Sequence, residues 1–463
     1  MKKTKILCTI GPASIDKSIL EKMFKAGMDA VRINTAFNSP PFYRKIVRNV
    51  RATADIPILI DVKGPEIRFK VSSDIKVERN STVSIGFKPG PKPYFNRNIF
   101  SKLKVGDTII FDKGKYSSRI VGRERGLIKV KFNSACLLKN GMGVNVPGRR
   151  LDVSTLSKED LAVIRLAKEL DLDYVALSFT RNVEDIKKLK RHLNGTGIGL
   201  IAKIENHEGV ENVDAIMRSC DGVMIARGDL GVEIPSERIP MIQKDLIGKC
   251  NRLGKISIVA TEMLQSMVES SQPTRAETSD VANAILDGAD AIMLSAESAV
   301  GKYPLESVKT MAKIALEVET HMPIKPLDEE AHEKISLAIS KAVTSIIDTV
   351  DVDKIVVATR TGYTAMLISN FRICKDIIAI TNDPKVRRKL HLVYAIQPVE
   401  HAYFKKKEKI LEIAKYCLKE GLIKKTDLVL FTAGIYTTTP TTNLIEIQKI
   451  KDLIEYDKRK NGR

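Results

Sequence analysis

The sequence predicts an α/β chain: a (β/α)8 TIM barrel, interrupted by an inserted small β-barrel lid domain and followed by a C-terminal α/β domain. Three observations predict it. Eight short apolar runs rich in Val and Ile alternate with helical patterns, as in a parallel sheet covered on its outer face. Between the third and fourth runs lie about a hundred residues, far more than a crossover helix needs. After about Met322 the alternation of strand and helix restarts more loosely, as it does in a separate, smaller unit.

The eight runs are Lys5–Ile10, Ala30–Asn34, Ile58–Val62, Tyr174–Phe179, Gly199–Ile204, Gly222–Ala226, Ile256–Ala260 and Ala291–Leu294. Eight in order suggest a closed barrel. Ser18–Lys25 and Tyr43–Arg51 read as early helices, and Lys158–Glu169, Val183–His192, Ile239–Leu253, Ala276–Leu286 and Leu305–Glu319 as later ones. The long interval instead holds alternating patterns, Val83–Phe87, Thr108–Phe111 and Ile128–Phe132. Turn sequences separate them: Lys88-Pro89-Gly90, Val105-Gly106-Asp107 and Asp112-Lys113-Gly114. Beyond Met322, Lys354–Ala358, Asp376–Ile380, Asp427–Phe431 and Asn443–Ile450 read as strands, and Ile335–Thr349, Ala365–Phe371 and Lys407–Glu420 as helices. The expected units are a barrel of residues 1–68 and 152–322, a lid of 69–151, and a C-terminal domain of 323–463.

Composition narrows the function classes. Hydrophobic residues make up 43% of the 463 and charged residues 29%, an ordinary globular balance. No apolar run reaches the roughly 18 residues of a membrane-spanning helix. The apolar stretch of the start is broken by Thr9, Gly11 and Pro12, so no export signal is expected. The six cysteines form no CxxC pair and the six histidines no metal-ligand spacing, which suits reduced thiols in a cytoplasmic protein. The net charge is +20, and residues 69–151 carry 18 Lys and Arg against 5 Asp and Glu. Such an excess suits nucleic acid, a membrane surface or small anionic substrates; a solvated basic face is the plain alternative.

In a parallel barrel, chemistry collects at the C-terminal ends of strands. Here those ends read Arg32-Ile33-Asn34, Asp61-Val62-Lys63, Lys203-Ile204-Glu205-Asn206, Ala226-Arg227-Gly228-Asp229, Ala260-Thr261-Glu262 and Ser295-Ala296-Glu297. Residues two apart share one side of a strand, so Arg32 with Asn34, Asp61 with Lys63, and Lys203 with Glu205 can enter one cavity. A single polar strand end merely starts a loop. Six together point to a site, because buried charges need partners or ions. Glu205 and Asp229 offer hard oxygens suited to Mg2+ or Mn2+. Lys203 is a fixed positive charge or proton donor, and Arg32 can hold a phosphate bidentately. Backbone N–H groups at the Gly228–Asp229 turn can hold a carboxylate or phosphate. Phosphoryl transfer needs such a set.

At these residues the sequence resembles the pyruvate kinase family. The resemblance rests on Thr4–Ser14 (TKILCTIGPAS), Asp61–Arg68 (DVKGPEIR), Lys203–Asn206 (KIEN), Met224–Glu233 (MIARGDLGVE), Pro273–Glu277 (PTRAE), Asp280–Ala284 (DVANA) and Met293–Ser295 (MLS). It covers essentially the whole chain. It implies transfer of the phosphoryl group of phosphoenolpyruvate to ADP, giving pyruvate and ATP in glycolysis, by a homotetramer with no nucleic-acid or membrane partner. By analogy Lys203 stabilises the transferring phosphoryl group and the developing enolate, and Glu205 and Asp229 bind the divalent metal. Arg32 binds the phosphate, Gly228 and Asp229 the carboxylate, and Thr261 sits beside the substrate to help protonate the enolate. Ser295 joins the substrate contacts. Asn34, Arg68 and Lys158 resemble nucleotide contacts, and the basic insertion resembles a lid over two polyanions.

The departures are specific. Where the family continues Phe-Ser-His-Gly, this chain has Thr35-Ala36-Phe37-Asn38. The missing serine normally offers its hydroxyl to K+, whose other ligands resemble Asn34, Asp61 and the Val62 carbonyl; Ala36 therefore puts K+ in doubt. Glu66 is the form associated with K+ dependence, so the two signals conflict. Phe37 replaces a histidine that touches the nucleotide. Glu262 and Gln265 exchange the usual Gln and Glu. In the C-terminal domain the loop around Thr359, Thr361 and Thr364 resembles the family's site for phosphorylated, allosteric effectors; a plain helix cap reads equally well. Two other readings compete: a different Mg2+-dependent barrel enzyme acting on phosphoenolpyruvate or pyruvate, and a catalytically weak paralogue whose basic insertion binds RNA or protein.

Overall fold

A computed structural model describes residues 2–36, 39–112, 114–124, 126–149, 151, 153–322, 333–402, 409–434 and 442–461. Eight strands close a parallel barrel: β1 (Lys5–Thr9), β2 (Ala30–Ile33), β3 (Ile58–Val62), β4 (Tyr174–Leu177), β5 (Gly199–Ile204), β6 (Gly222–Ala226), β7 (Ile256–Ala260) and β8 (Ala291–Leu294). Each strand pairs with its neighbours in sequence order, and β8 closes on β1 through Lys5 beside Ala291. Every residue of the eight strands is buried, which is why their sequences are continuously apolar rather than alternating.

The floor of the barrel, where strands begin, is built on one repeated device. An aspartate stands immediately before each even-numbered strand: Asp29, Asp173, Asp221 and Asp290. Each carboxylate accepts a backbone N–H near the start of the preceding odd strand, from Ile6 (2.7 Å), Ile58 (2.8 Å), Leu200 (2.7 Å) and Ser257 (2.9 Å). Each aspartate's own N–H returns a bond to the carbonyl of that same residue. Four odd–even strand pairs are thus locked in register where a buried strand start would otherwise leave donors unpaired.

Residues between β3 and β4 form a seven-stranded and a two-stranded sheet around a separate core. Phe111 packs against Phe69 at 5.5 Å and Phe132 at 5.4 Å in this core. The expected strands are present within a residue or so at each end, as Thr82–Gly86, Thr108–Phe111 and Leu127–Phe132. The insertion stands over the barrel mouth: Asn145 donates to Glu233 at 3.0 Å. Its return is pinned by Arg181, whose guanidinium donates to the carbonyls of Leu151 (2.9 Å) and Val153 (3.1 Å) and pairs with Asp185 at 2.8 Å.

The C-terminal sheet holds β9 (Lys354–Ala358), β10 (Asp376–Thr381), β11 (Ile396–Glu400), β12 (Leu428–Ala433) and β13 (Leu444–Lys449), in the order β11-β10-β9-β12-β13. Only β13 runs antiparallel to its neighbour. The sequence reading omits β11 and the helix Pro384–Leu390 before it. Pro398 and Gln397 give β11 the look of a loop, yet it is an edge strand, where a proline costs no ladder bond. The helix has start signals, an Asp383 cap followed by Pro384.

This unit docks on the barrel floor through two arginines that neutralise buried aspartates. Arg388 meets Asp173 at 2.6 Å, beside Arg51 at 2.7 Å. Arg372, fully buried, meets Asp290 at 3.0 Å and also donates to Asn251 (2.6 Å) and the Gly288 carbonyl (2.9 Å). Arg372→Met therefore leaves the Asp290 charge buried without its counterion. The expected loss is about 3–5 kcal/mol, read as a fall in the urea midpoint by circular dichroism; an unchanged midpoint would show that the docking does not hold the floor.

Candidate active site

Four charged side chains from β2, β3 and the end of β5 interlock at the barrel mouth. Arg32, from β2, donates Nη2 to Asp61 of β3 at 2.5 Å and Nε to both carboxylate oxygens at 3.2 Å. Its Nη1 reaches Thr9 of β1 at 3.1 Å. Lys203, near the end of β5, places its ammonium 3.2 Å from Asp61, 2.8 Å from Glu205 and 2.9 Å from the Ser178 hydroxyl. Those three acceptors match the three donors of a lysine. Glu205 takes a further bond from the Phe179 N–H at 2.7 Å. All four side chains are buried.

Burial and pairing compete in setting these charges. Burial alone would push the Asp61 carboxyl up, but Arg32 and Lys203 hold it below its ordinary value. Burial would pull the Lys203 ammonium down, but Asp61 and Glu205 hold it above its ordinary value, so it stays a cation. Glu205 goes the other way. Burial raises it, Lys203 lowers it, and the nearby Asp229 charge raises it again, leaving it above its usual range. Asp229 lines the same cavity and forms no hydrogen bond or ion pair among the described residues.

The cavity measures about 590 Å³ and opens between the mouth and the insertion. It gathers Arg32, Asn34, Asp61, Val62, Lys203, Glu205 and Asp229, all read at or just past strand ends, together with Arg68, expected there from the family resemblance. Arg68 comes from the barrel–insertion junction, pairing with Glu66 at 2.7 Å and donating to the Gly141 carbonyl at 2.7 Å. Thr261 and Gly228, expected at the substrate, do not line the cavity but stand together beside Asp229, which does: the Thr261 hydroxyl accepts the Gly228 N–H at 2.8 Å and donates to the Ala260 carbonyl at 2.6 Å. The Gly228 N–H is therefore engaged by Thr261 here.

Some expected residues fall outside the cavity. Lys158 is exposed at the first turn of the helix Lys158–Glu169 and does not line it. Ser295 has a buried hydroxyl with no partner among the described residues, set back from the lining. Thr359, Thr361 and Thr364 lie in the C-terminal unit. Their hydroxyls accept the N–H of Gly362 (2.9 Å), accept that of Tyr363 (3.4 Å) and meet Thr442 (2.7 Å), respectively. Phe37 and Asn38 lie outside the described residues. Ser178 and Phe179 escape the sequence reading as site residues, although both lie at the end of the fourth apolar run, Tyr174–Phe179.

Family comparison agrees with this architecture. A model described as pyruvate kinase, barrel domain, matches residues 1–308, and one described as pyruvate kinase, alpha/beta domain, matches residues 337–448. The chain belongs to the pyruvate kinase family. Proteins named pyruvate kinase from Bacillus licheniformis, Geobacillus stearothermophilus and Staphylococcus aureus (strain MRSA252) are each 38% identical to it over 476 residues. Each match covers 98% of this chain and 81% of the relative.

One glycine ties the pyruvate kinase fold to the cavity. Gly64 has φ +65°, and a Cβ there would stand 2.2 Å from the Ser178 carbonyl, which is backbone and cannot swing aside. Gly64→Ala combines a left-handed alanine, costing roughly 1–2 kcal/mol, with that clash. The thermal midpoint should fall by several degrees; an unchanged midpoint would show that the β3 and β4 ends are not packed this closely.

Proposed function

We propose that Lys203, Arg32, Glu205 and Asp229 form the centre at which this phosphotransferase moves the phosphoryl group of phosphoenolpyruvate to ADP, giving pyruvate and ATP. The observation that carries this reading is the Lys203 ammonium. It is buried, kept charged, and held by three acceptors at the ends of β3, β4 and β5. In the reaction, an oxygen of the ADP β-phosphate bonds to phosphorus while the bond from phosphorus to the enol oxygen breaks. The enolate left behind takes a proton at its methylene carbon. Lys203 and Arg32 face charge that spreads over the phosphoryl oxygens and the enolate, and they are positioned before the reaction begins. Thr261, bonded to the Gly228 N–H next to Asp229, is the group assigned to deliver that proton. Asn34 and Arg68 take the nucleotide side, and Lys158 serves it only if the insertion brings the nucleotide out toward that helix.

The residues fit a hard divalent cation. Glu205 and Asp229 face one cavity, and the Asp229 carboxylate has no partner among the described residues. Arg32, Lys203, Asp61, Glu205 and Asp229 together carry two positive and three negative charges when ionised, a balance that would repel a phosphate. Glu205 and Asp229 would hold a Mg2+ or Mn2+, whose charge would reverse that sign and supply electrostatic stabilisation for anionic oxygens. The residues do not fit K+ as they stand. Ala36 has no hydroxyl, Asn34 Oδ1 accepts the Ala36 N–H at 3.0 Å, and the Val62 carbonyl accepts the Ser178 N–H at 3.1 Å. The Asp61 carboxylate is shared by Arg32 and Lys203.

The domain boundaries 1–68 with 152–322, 69–151 and 323–463, the homotetramer and the cytoplasmic setting complete the proposal. Supporting the setting, none of the six cysteines is in a disulfide, and no helix among the described residues is long and apolar enough to cross a membrane. In the loop at Thr359–Thr364 the threonine hydroxyls are engaged by Gly362, Tyr363 and Thr442, while the helix N-cap, Gly362, has no side-chain cap bond.

Pyruvate formation from phosphoenolpyruvate and ADP with Mg2+ tests the reading, and no turnover from folded protein with Mg2+ or Mn2+ would overturn it. Lys203→Met should lower kcat by about 100-fold or more while leaving the fold intact; a variant within about tenfold of the parent would remove Lys203 from the centre. The parent should turn over without K+, and Ala36→Ser should increase activation by K+. An identical K+ response in the two proteins would show that the hydroxyl at this position does not set it.

A further inference from the structure

We propose that Arg227 is a positioning residue for this reaction: a buried brace that holds the turn at Thr261 and Glu262 in a left-handed conformation and so sets where the Thr261 hydroxyl stands. The proposal rests on the reading of the cavity given above. Thr261 has φ +68° and Glu262 φ +56°, two successive non-glycine residues in the left-handed region. For a β-branched threonine this is an outlier that persists only when its surroundings impose it.

The imposing group is the Arg227 guanidinium. Its Nη2 donates to the Thr261 carbonyl at 2.7 Å and the Glu262 carbonyl at 3.2 Å, and lies 2.9 Å from the Met263 sulfur. Its Nη1 is anchored on the far side by Asp280 at 2.7 Å and Gln243 at 3.3 Å. The side chain is buried, and its Nε has no partner among the described residues. The guanidinium is therefore committed to the turn and does not face the cavity.

The next two residues complete the device. Gly228 donates its N–H to the Thr261 hydroxyl, and a Cβ at Gly228 would come 3.4 Å from that oxygen. Asp229 then presents its carboxylate to the cavity. One helix start thus fixes the turn's carbonyls, the threonine's oxygen and a candidate metal ligand with three consecutive residues. Without the guanidinium, two carbonyls lose their donors and the turn relaxes toward ordinary backbone. The hydroxyl is then withdrawn from the enolate, while Arg68 and Asp229 stay in place.

The test compares Arg227→Gln, Thr261→Ala and the double variant as full-length proteins. Arg227→Gln should lower kcat by about 10- to 100-fold, as a misplacement of about 1 Å does, with KM for ADP within about twofold of the parent. Exchange of the methyl protons of pyruvate with D2O, followed by NMR with Mg2+ and inorganic phosphate, should fall by the same factor. The double variant should be no slower than Thr261→Ala alone, since both remove one function. If Arg227→Gln does not fold, Asp280→Asn, which weakens the anchor but spares the brace, should show the same split at smaller amplitude. Three results would overturn the proposal: losses that multiply in the double variant, proton exchange at the parent rate, or a rise in the KM for ADP that accounts for the whole effect.

Discussion

The Lys203 ammonium is the interaction on which the site depends. A buried lysine is tolerated only when its charge is matched, and here Asp61, Glu205 and Ser178 match it from the ends of three strands, its own included. Asp61 is in turn tied to Arg32, so strands β2, β3 and β5 and the residues just after β4 are joined by alternating charges across the barrel mouth. Removing one partner would leave the others buried and unpaired. The same network that makes the mouth rigid also keeps a positive charge ready where phosphoryl oxygens would gather.

The two ends of the barrel solve opposite problems. At the floor, four aspartates satisfy strand N–H groups in a repeated pattern, and arginines from the C-terminal unit neutralise the two most deeply buried, Asp173 and Asp290. These charges are fully partnered by protein and stabilise the closed sheet. At the mouth, Asp229 is left without a partner among the described residues, and Glu205 is pushed toward protonation by burial and by its neighbour. Charges left incompletely matched, in a cavity of substrate size, are what distinguish a site from a structural network.

Much of this was legible because a barrel converts position along a strand into position in space. An apolar run that ends in Arg32, Asp61, Lys203 or Thr261 places that residue at the mouth whatever the surrounding sequence. The same rule points to Ser178. The insertion was legible from its spacing, its alternating patterns and its charge. Less legible were β11, whose edge position tolerates a proline, and Lys158, whose motif match does not say whether the helix start faces the cavity. The Arg227 brace was hidden too, since its partners are carbonyls, and every residue has one.

The sequence by itself determined the order and approximate bounds of the barrel strands, the identity of the charged residues at the mouth and the family, because these follow from local periodicity and from motifs in fixed order. Only the tertiary structure decided which carboxylate is matched by a cation and which is free, which N–H the Thr261 hydroxyl engages, and which residues hold that turn in a left-handed form. Those outcomes depend on distances of a few tenths of an ångström between residues up to 142 positions apart, as for Asp61 and Lys203. Hydrogen bonds and charge pairs in a buried site are governed by that separation in space, on which separation in sequence has no bearing.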